Sequence, residues 1–384
     1  MSKFEVFFSA GEVSGDISAS EVIRELRKMG ITCSGVGGKM MEEAGMLNIT
    51  KTDESVYSSV GFLESFKYVF PKLILLKKIL SYLRKTKPNL VFLVDNQGFN
   101  IPLAKLCKKM GLSVFYYFPP MVSVWDENVK YKISKYCDRI LCTFEEDYKI
   151  YKEVSSNAIF VGNPLVDRVR KSYSSLESYL KFFDSNKKRI LLLPGSREQE
   201  VKTLLLPMLK VAKLVLDGET NLPKDGFEFY LIISHPIFRD YIHSKIRDVG
   251  LWGRIKIFDQ NRDYALYDLC DLAIASSGTV TLELALLEKP VIVIYKVSKI
   301  TFEIGKRLVK SKFVSLPNIL LGSSVYPELL QEDVNPTMIL KHIENLLDKD
   351  TIENIRNNLR KIKDKYEPGT IERVIEEIKS CLVP

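Results

Sequence analysis

Residues 3–16, KFEVFFSAGEVSGD, pass from a continuous apolar run straight into a turn of small and polar residues, and a helical pattern begins near Ile17. An apolar run without polar alternation reads as a strand covered on both faces, as in parallel sheets. The same order recurs in NLVFLVD (89–95), LSVFYYF (112–118), RILCTF (139–144) and AIFVGN (158–163), each leading into a polar or amphipathic segment. Strands alternating with helices predict an α/β fold.

A second series follows: RILLLP (189–194), FEFYLIIS (227–234), IKIFD (255–259), DLAIASSG (271–278) and PVIVIYK (290–296). The charge-rich stretch from Asp167 to Lys188 lies between the two series and predicts an interdomain passage. A length of 384 residues suits two domains, each with its own core. The expected division is a Rossmann-like domain over 1–167, a second over 168–350, and C-terminal helices over 351–384. Ile371, Val374, Ile375, Ile378 and Leu382 recur at helical spacing, so the last helix needs a surface. It packs either on the first domain of its own chain or on a second protomer, which would make a homodimer. Ligands of such sheets bind beyond the carboxyl ends of the strands, so chemistry is expected in the turns there, in a cleft that the two domains face.

Composition narrows the function. With 46% hydrophobic and 27% charged residues the chain is ordinary globular protein, not a disordered one. A net charge of +8 suits a phosphate-bearing ligand or an anionic membrane surface. Without zinc-finger spacing or an aromatic RNA-binding motif, nucleic acid is not an expected partner. The six cysteines form no CxxC pair, which predicts reduced thiols and a cytoplasmic location. His235, His243 and His342 have no ligand-spaced partner, so no metal is expected. The N-terminus enters a strand without a charged n-region or long apolar h-region, unlike a signal peptide.

Five segments offer chemistry. In the turn 9–16, glycines permit close backbone approach while Glu12, Ser14 and Asp16 offer acceptors for sugar hydroxyls or an amine; alternatively Asp16 or Ser18 caps the helix. Asp95 closes a strand, placed either to deprotonate an incoming hydroxyl or to organise the loop DNQGFN. Ser196 and Arg197 open a helix after a strand, an arrangement that suits phosphate, although such an arginine also pairs with neighbouring acids. Ser277, Gly278 and Thr279 repeat that arrangement, and Glu283 one turn later is placed for ribose hydroxyls or a capping box. Residues 61–80 mix Phe62, Leu63, Phe66, Phe70 and Leu73 with Lys67, Lys72 and Lys77. The apolar run is too interrupted to span a bilayer. It reads either as a segment lying in a membrane interface, with lysines against anionic lipid, or as a buried helix pair.

Taken together these motifs resemble lipid-A-disaccharide synthases, glycosyltransferases of the GT-B architecture. The resemblance runs over nearly the whole chain: SAGEVSGD, GVGGKMMEEAG (35–45), VDNQGFN, TFEEDYKIYKE (143–153), VGNPLVD (161–167), LLPGSREQEVK (192–202), SSGTVTLELALLEKPVIVIYKVSKITF (276–302), RLVKSKFVSLPNILLG (307–322) and PELLQED (327–333). It implies transfer of 2,3-diacylglucosamine from its UDP derivative to the 6-hydroxyl of 2,3-diacylglucosamine 1-phosphate, with inversion, giving a β-1′,6-linked disaccharide and UDP. No metal or other cofactor is implied. By this resemblance Asp95 is the base, and Glu12, Ser14 and Asp16 lie on the acceptor side. Ser196, Arg197, Ser277, Gly278, Thr279 and Glu283 bind UDP, and Asn318 and Gln331 line the same nucleotide side. It also implies peripheral attachment to the inner face of the cytoplasmic membrane, which favours the interfacial reading of 61–80.

The chain departs from the family pattern in places. Where an IDAPDFN-like segment carries a second aspartate, VDNQGFN has Gly98, and the histidine of GHP is Asn163. The stretch SVWAWRQ appears as MVSVWDENVK, with Ser123 for a tryptophan and Asp126 and Glu127 for basic or neutral residues. Ser323 and Ser324 stand where Arg-Glu is usual. Two other functions compete: a GT-B enzyme acting on a different UDP-sugar, and a catalytically silent paralogue that binds UDP-sugar or lipid.

Overall fold

The computed structural model describes residues 4–50, 69–171, 176–259, 264–308 and 310–382. The chain forms two compact units, one of Met1–Pro164, Glu303–Lys310 and Glu367–Pro384, the other of Leu165–Phe302 and Ser311–Tyr366.

The first unit holds β1 (Glu5–Ala10), β2 (Thr32–Val36), β3 (Leu47–Asn48), β4 (Leu90–Val94), β5 (Val114–Tyr117), β6 (Arg139–Cys142) and β7 (Ala158–Phe160). They form one sheet in the order β3-β2-β1-β4-β5-β6-β7, with every pairing parallel. Successive side chains alternate between faces. Val6, Phe8, Phe92 and Val94 pack with Val22 and Leu26 of the helix Val13–Lys28, and with Val374, Ile375 and Ile378 of the helix Thr370–Leu382. Phe7, Val91, Leu93 and Tyr116 pack on the other face, with Ile79, Leu103 and Ile133 of the helices Val69–Thr86, Gln97–Lys109 and Val129–Tyr136. Both faces are dry, which is why these strands are apolar throughout. Truncating a fully buried residue such as Leu93 to Ala should cost about 2–5 kcal/mol.

The second unit repeats the plan with β8 (Lys188–Leu193), β9 (Phe227–Ile233), β10 (Lys256–Asp259), β11 (Leu272–Ser276), β12 (Val291–Tyr295) and β13 (Glu328–Leu330). The order is β10-β9-β8-β11-β12-β13, again parallel throughout. The predicted α/β architecture of two Rossmann-like parallel sheets is therefore the observed one.

Three strands escape the sequence pattern. In β2, TCSGV, the middle residues are small or polar because two other groups crowd them. A Cβ on Gly35 would lie 2.2 Å from the Phe8 carbonyl oxygen, and Ser34 Oγ donates to Glu5 Oε1 at 2.6 Å. β3 and β13 span only two and three residues.

Candidate functional site

In the first unit β1 and β4 are neighbours, with Ala10 opposite Val94, so the turn after each strand lies beside the other. This is where the strand order reverses, the usual ligand position in such sheets. Contact between the turns is close: a Cβ on Gly11 would sit 2.0 Å from Asn96 Nδ2. A side chain at Gly11 would displace that of Asn96.

Asp95 and Asn96 follow β4 with φ of +49° and +48°, both left-handed. Such conformations cost of order 1–3 kcal/mol each for non-glycine residues and persist only when neighbours impose them. Here Asp95 N donates to the Tyr117 carbonyl at 3.0 Å. The Asp95 carbonyl accepts from Tyr116 Oη at 2.7 Å and Asn100 Nδ2 at 2.9 Å. Asn96 O accepts from the amides of Phe99 and Asn100, which opens the helix Gln97–Lys109. The half-buried Asp95 is thus carried on a fixed backbone at the rim of the sheet.

The three acceptor-side candidates part company. Glu12 precedes the helix Val13–Lys28 in an extended conformation, and Ser14 is half-buried with its carbonyl taking a hydrogen bond from Ser18 Oγ. Asp16 is buried, and its carboxylate accepts from the amides of Gly38, Met40 and Met41 at 3.0, 3.0 and 3.1 Å. Those amides begin the helix Lys39–Glu43. Asp16 therefore caps a helix, but a neighbouring one within GVGGKMMEEAG, not its own.

The departures have physical context. Gly98 is exposed, and a Cβ there would meet nothing within 4 Å. Asn163 is buried. Ser123 donates from N (2.9 Å) and Oγ (2.8 Å) to Asp147. Burial pushes the Asp147 carboxyl up to about 6 against those bonds. Glu127 pairs with Lys130 at 2.6 Å and Lys310 at 2.7 Å, and their hydrogen bonds pull it down to about 2.

In the second unit β8 and β11 are neighbours, with Leu193 opposite Ala275, and two helix N-termini stand side by side. The turn of Gly195, Ser196 and Arg197 begins with φ of +114° at Gly195 and leads into the helix Glu198–Asp217. Glu200 folds back over it: Oε2 accepts from Ser196 N at 3.0 Å and Arg197 N at 3.3 Å, and Oε1 pairs with Arg197 at 2.9 Å. A carboxylate thus sits on the amides and guanidinium that suit phosphate. Glu200, unassigned in the sequence reading, was findable as the acid three residues after Arg197, the spacing of an ion pair within one helical turn.

Ser277 Oγ donates to Val314 O at 2.6 Å, and Gly278 and Thr279 open the helix Thr279–Leu286. Glu283 accepts from Tyr264 Oη at 3.1 Å. Burial raises its pKa, opposed by the charge of Arg168 and by that hydrogen bond. Asn318 is fully buried: its oxygen accepts from Val325 N and Tyr326 N, and its amide donates to Tyr326 O and Glu328 Oε1. Glu328 also takes Val314 N, Ser315 N and Ser315 Oγ, a role not visible in PELLQED. Gln331 brackets Val297, accepting from its N at 2.8 Å and donating to its O at 2.9 Å. Asn318 and Gln331 build the loops around the turns through their own side chains.

Of the interfacial candidates, Phe62, Leu63, Phe66 and Lys67 lie outside the described residues. Phe70 falls in the first turn of the helix Val69–Thr86. In that helix Leu73 and Ile74 are about half exposed, at 50% and 48%, Lys77 is exposed, and burial lowers the pKa of Lys72. Among the described residues no helix is long and apolar enough to cross a membrane.

In backbone the chain is similar to UDP-GlcNAc 2-epimerase from Neisseria meningitidis, solved bound to UDP-GlcNAc (TM-score 0.66, 14% identity, 98% of this chain and 100% of that one). It is equally similar to S. aureus MnaA, solved with UDP (TM-score 0.66, 13% identity, 99% and 97%). These neighbours establish the GT-B-like fold. In sequence it is 33% identical to a lipid-A-disaccharide synthase of Coxiella burnetii over the whole of both chains. It is 32% identical to that of Geobacter metallireducens over 95% of this chain and 93% of the other. The family model for lipid-A-disaccharide synthetase matches residues 6–378. By fold, by whole-length match and by the motifs assembled at the two strand-end turns, the chain belongs to the lipid-A-disaccharide synthase family.

Proposed function

We infer that the chain, a glycosyltransferase of lipid A disaccharide synthesis by that membership, joins two acylated sugars. We propose that its donor is UDP-2,3-diacylglucosamine and its acceptor 2,3-diacylglucosamine 1-phosphate, with inversion at the anomeric carbon. The observation that carries this reading is Asp95, fixed in a left-handed conformation at the rim of β4 beside the Gly11 turn. Its carboxylate takes the proton of the acceptor 6-hydroxyl as that oxygen attacks the anomeric carbon, the bond from that carbon to the diphosphate breaks, and UDP departs. Glu12 and Ser14 line the acceptor side. Ser196, Arg197, Ser277, Gly278 and Thr279 hold the diphosphate, Arg197 exchanging Glu200 for phosphate and stabilising the leaving charge. Glu283 receives the ribose hydroxyls, and Asn318 and Gln331 shape the loops that do the holding.

The acyl chains place the substrates in a bilayer, and the protein works as a peripheral protein at the inner face of the cytoplasmic membrane. Supporting this, Leu73 and Ile74 are exposed beside Lys77 and Lys78. Of the helices on one face of the first sheet, Val69–Thr86, Gln97–Lys109 and Val129–Tyr136 carry Lys and Arg but no Asp or Glu, whereas Glu145–Lys152 opens with three acids. Apolar side chains beside cations suit an anionic interface.

The test is UDP release from UDP-2,3-diacylglucosamine in detergent micelles, with and without the acceptor, following the lipid product by mass. Acceptor-dependent release with a disaccharide phosphate of the expected mass is the outcome this reading requires. UDP binding without turnover on this pair would transfer the chain to another UDP-sugar or to a silent paralogue.

A further inference from the structure

Aspartate and asparagine tolerate the left-handed region better than other non-glycine residues, but their type alone does not select it twice in succession. Left-handed backbone at two successive non-glycine positions needs an external constraint, and two buried side chains converge on one atom to supply it. Tyr116, in β5 and with no solvent exposure, donates from Oη to the Asp95 carbonyl at 2.7 Å. Asn100, one turn into the following helix and equally buried, donates to the same oxygen at 2.9 Å and to Val94 O at 3.1 Å. Asn100 also reaches β1, donating to Ser9 O at 3.3 Å and accepting from Ser9 Oγ at 2.8 Å. Ser9, Asn100 and Tyr116 thus tie three adjacent strands to the peptide that carries the carboxylate.

We infer that Tyr116 and Asn100 are positioning residues for Asp95, fixing the peptide plane so that the carboxylate points out of the strand rim at a constant angle. The inference rests on Asp95 being the base. Rotating the Asp95–Asn96 peptide to an ordinary conformation would break both bonds to its carbonyl and leave the Tyr116 hydroxyl buried without an acceptor. That cost keeps the strained turn in place. A base held by rigid partners meets its proton in one geometry, and small displacements are expensive in rate.

Tyr116→Phe removes one donor and keeps the ring and its packing. With UDP-2,3-diacylglucosamine and 2,3-diacylglucosamine 1-phosphate in micelles, kcat should fall roughly 10- to 100-fold with both KM values within about two-fold of the parent, short of the loss from removing the base. The solvent deuterium isotope effect on kcat should rise, because proton transfer becomes more rate-limiting, and amide exchange across 95–99 should quicken. A variant that merely folded less well would lose active fraction without changing the isotope effect. Unchanged kcat, or a lower kcat with unchanged isotope effect and exchange, overturns the inference. Asp95→Asn measured alongside separates the two readings: if it turns over like the parent, the base assignment fails whatever Tyr116→Phe does. If the parent itself makes no disaccharide, the synthase substrates fail, and the exchange rates alone decide whether Tyr116 holds the turn.

Discussion

Ser123 Oγ donates to a carboxylate oxygen of Asp147 at 2.8 Å, and the Ser123 amide donates to the same oxygen at 2.9 Å. Ser123 is thus a polar latch on the segment that presents Trp125, which is 43% exposed. Burial is the main reason the Asp147 pKa rises to about 6, opposed by hydrogen bonds from Ser123 and the Val122 backbone.

That latch sets a pH dependence. Between the ordinary aspartate value of 3.8 and about 6 the folded chain binds a proton at Asp147 that the unfolded chain has lost, so stability from this group falls as pH rises through that window and is flat above it. Asp147→Asn keeps an acceptor for Ser123 and does not titrate. The variant should gain on the parent by about 2 kcal/mol between pH 4 and pH 7. Urea unfolding of both proteins at several pH values checks it, and parallel curves would remove the buried charge from the account.

Asp95→Asn should lower kcat by roughly 10²–10⁴ while leaving UDP affinity within about two-fold, because the amide keeps the shape and loses the base. Turnover and UDP titration on the same preparation are the measurement. Equal loss of both would make Asp95 a binding residue.

Asp16→Asn should destabilise the first unit by about 2–4 kcal/mol, since one amide group cannot accept from three backbone donors that now end on a buried carboxylate. Denaturant unfolding reads this directly. A stable variant with a raised acceptor KM would instead return Asp16 to the acceptor side.

Gly98→Asp should be tolerated and stabilising by about 0.5–1 kcal/mol. The position is exposed in the first turn of the helix Gln97–Lys109, its φ is not positive, and an added Cβ meets nothing. A melting curve settles the sign. The glycine is therefore not a packing requirement, and any change of turnover in this variant reports on the acceptor.

The apolar strands were legible because both faces of each sheet are dry, which leaves runs such as LVFLV with no alternation to mislead. β2 was not, since Gly35 and Ser34 answer to Phe8 and Glu5, neighbours only in space. The turns were legible as places and less so as contacts. Arg197 was readable as an anion-binding donor or an ion-pair partner, and its acid lies three residues on. Asp16 was readable as a cap, but its helix begins 23 residues later, at Lys39, and no local pattern announces that. Asn318 stood out in its motif, while its saturation by Tyr326, Val325 and Glu328 depends on a loop closing back on itself. Tyr116 gave no signal beyond belonging to a strand.

The first unit takes its last core residues, Val374, Ile375 and Ile378, from a helix that follows the whole of the second unit in the chain. During synthesis the β1–β7 sheet therefore emerges with one face covered only in part, by the helix Val13–Lys28, and Val6, Phe8 and Phe92 wait for the second helix that completes that face. The second unit, complete by Tyr366, can close first. A released chain ending at Tyr366 should therefore show a second unit that resists protease while the first is still cut.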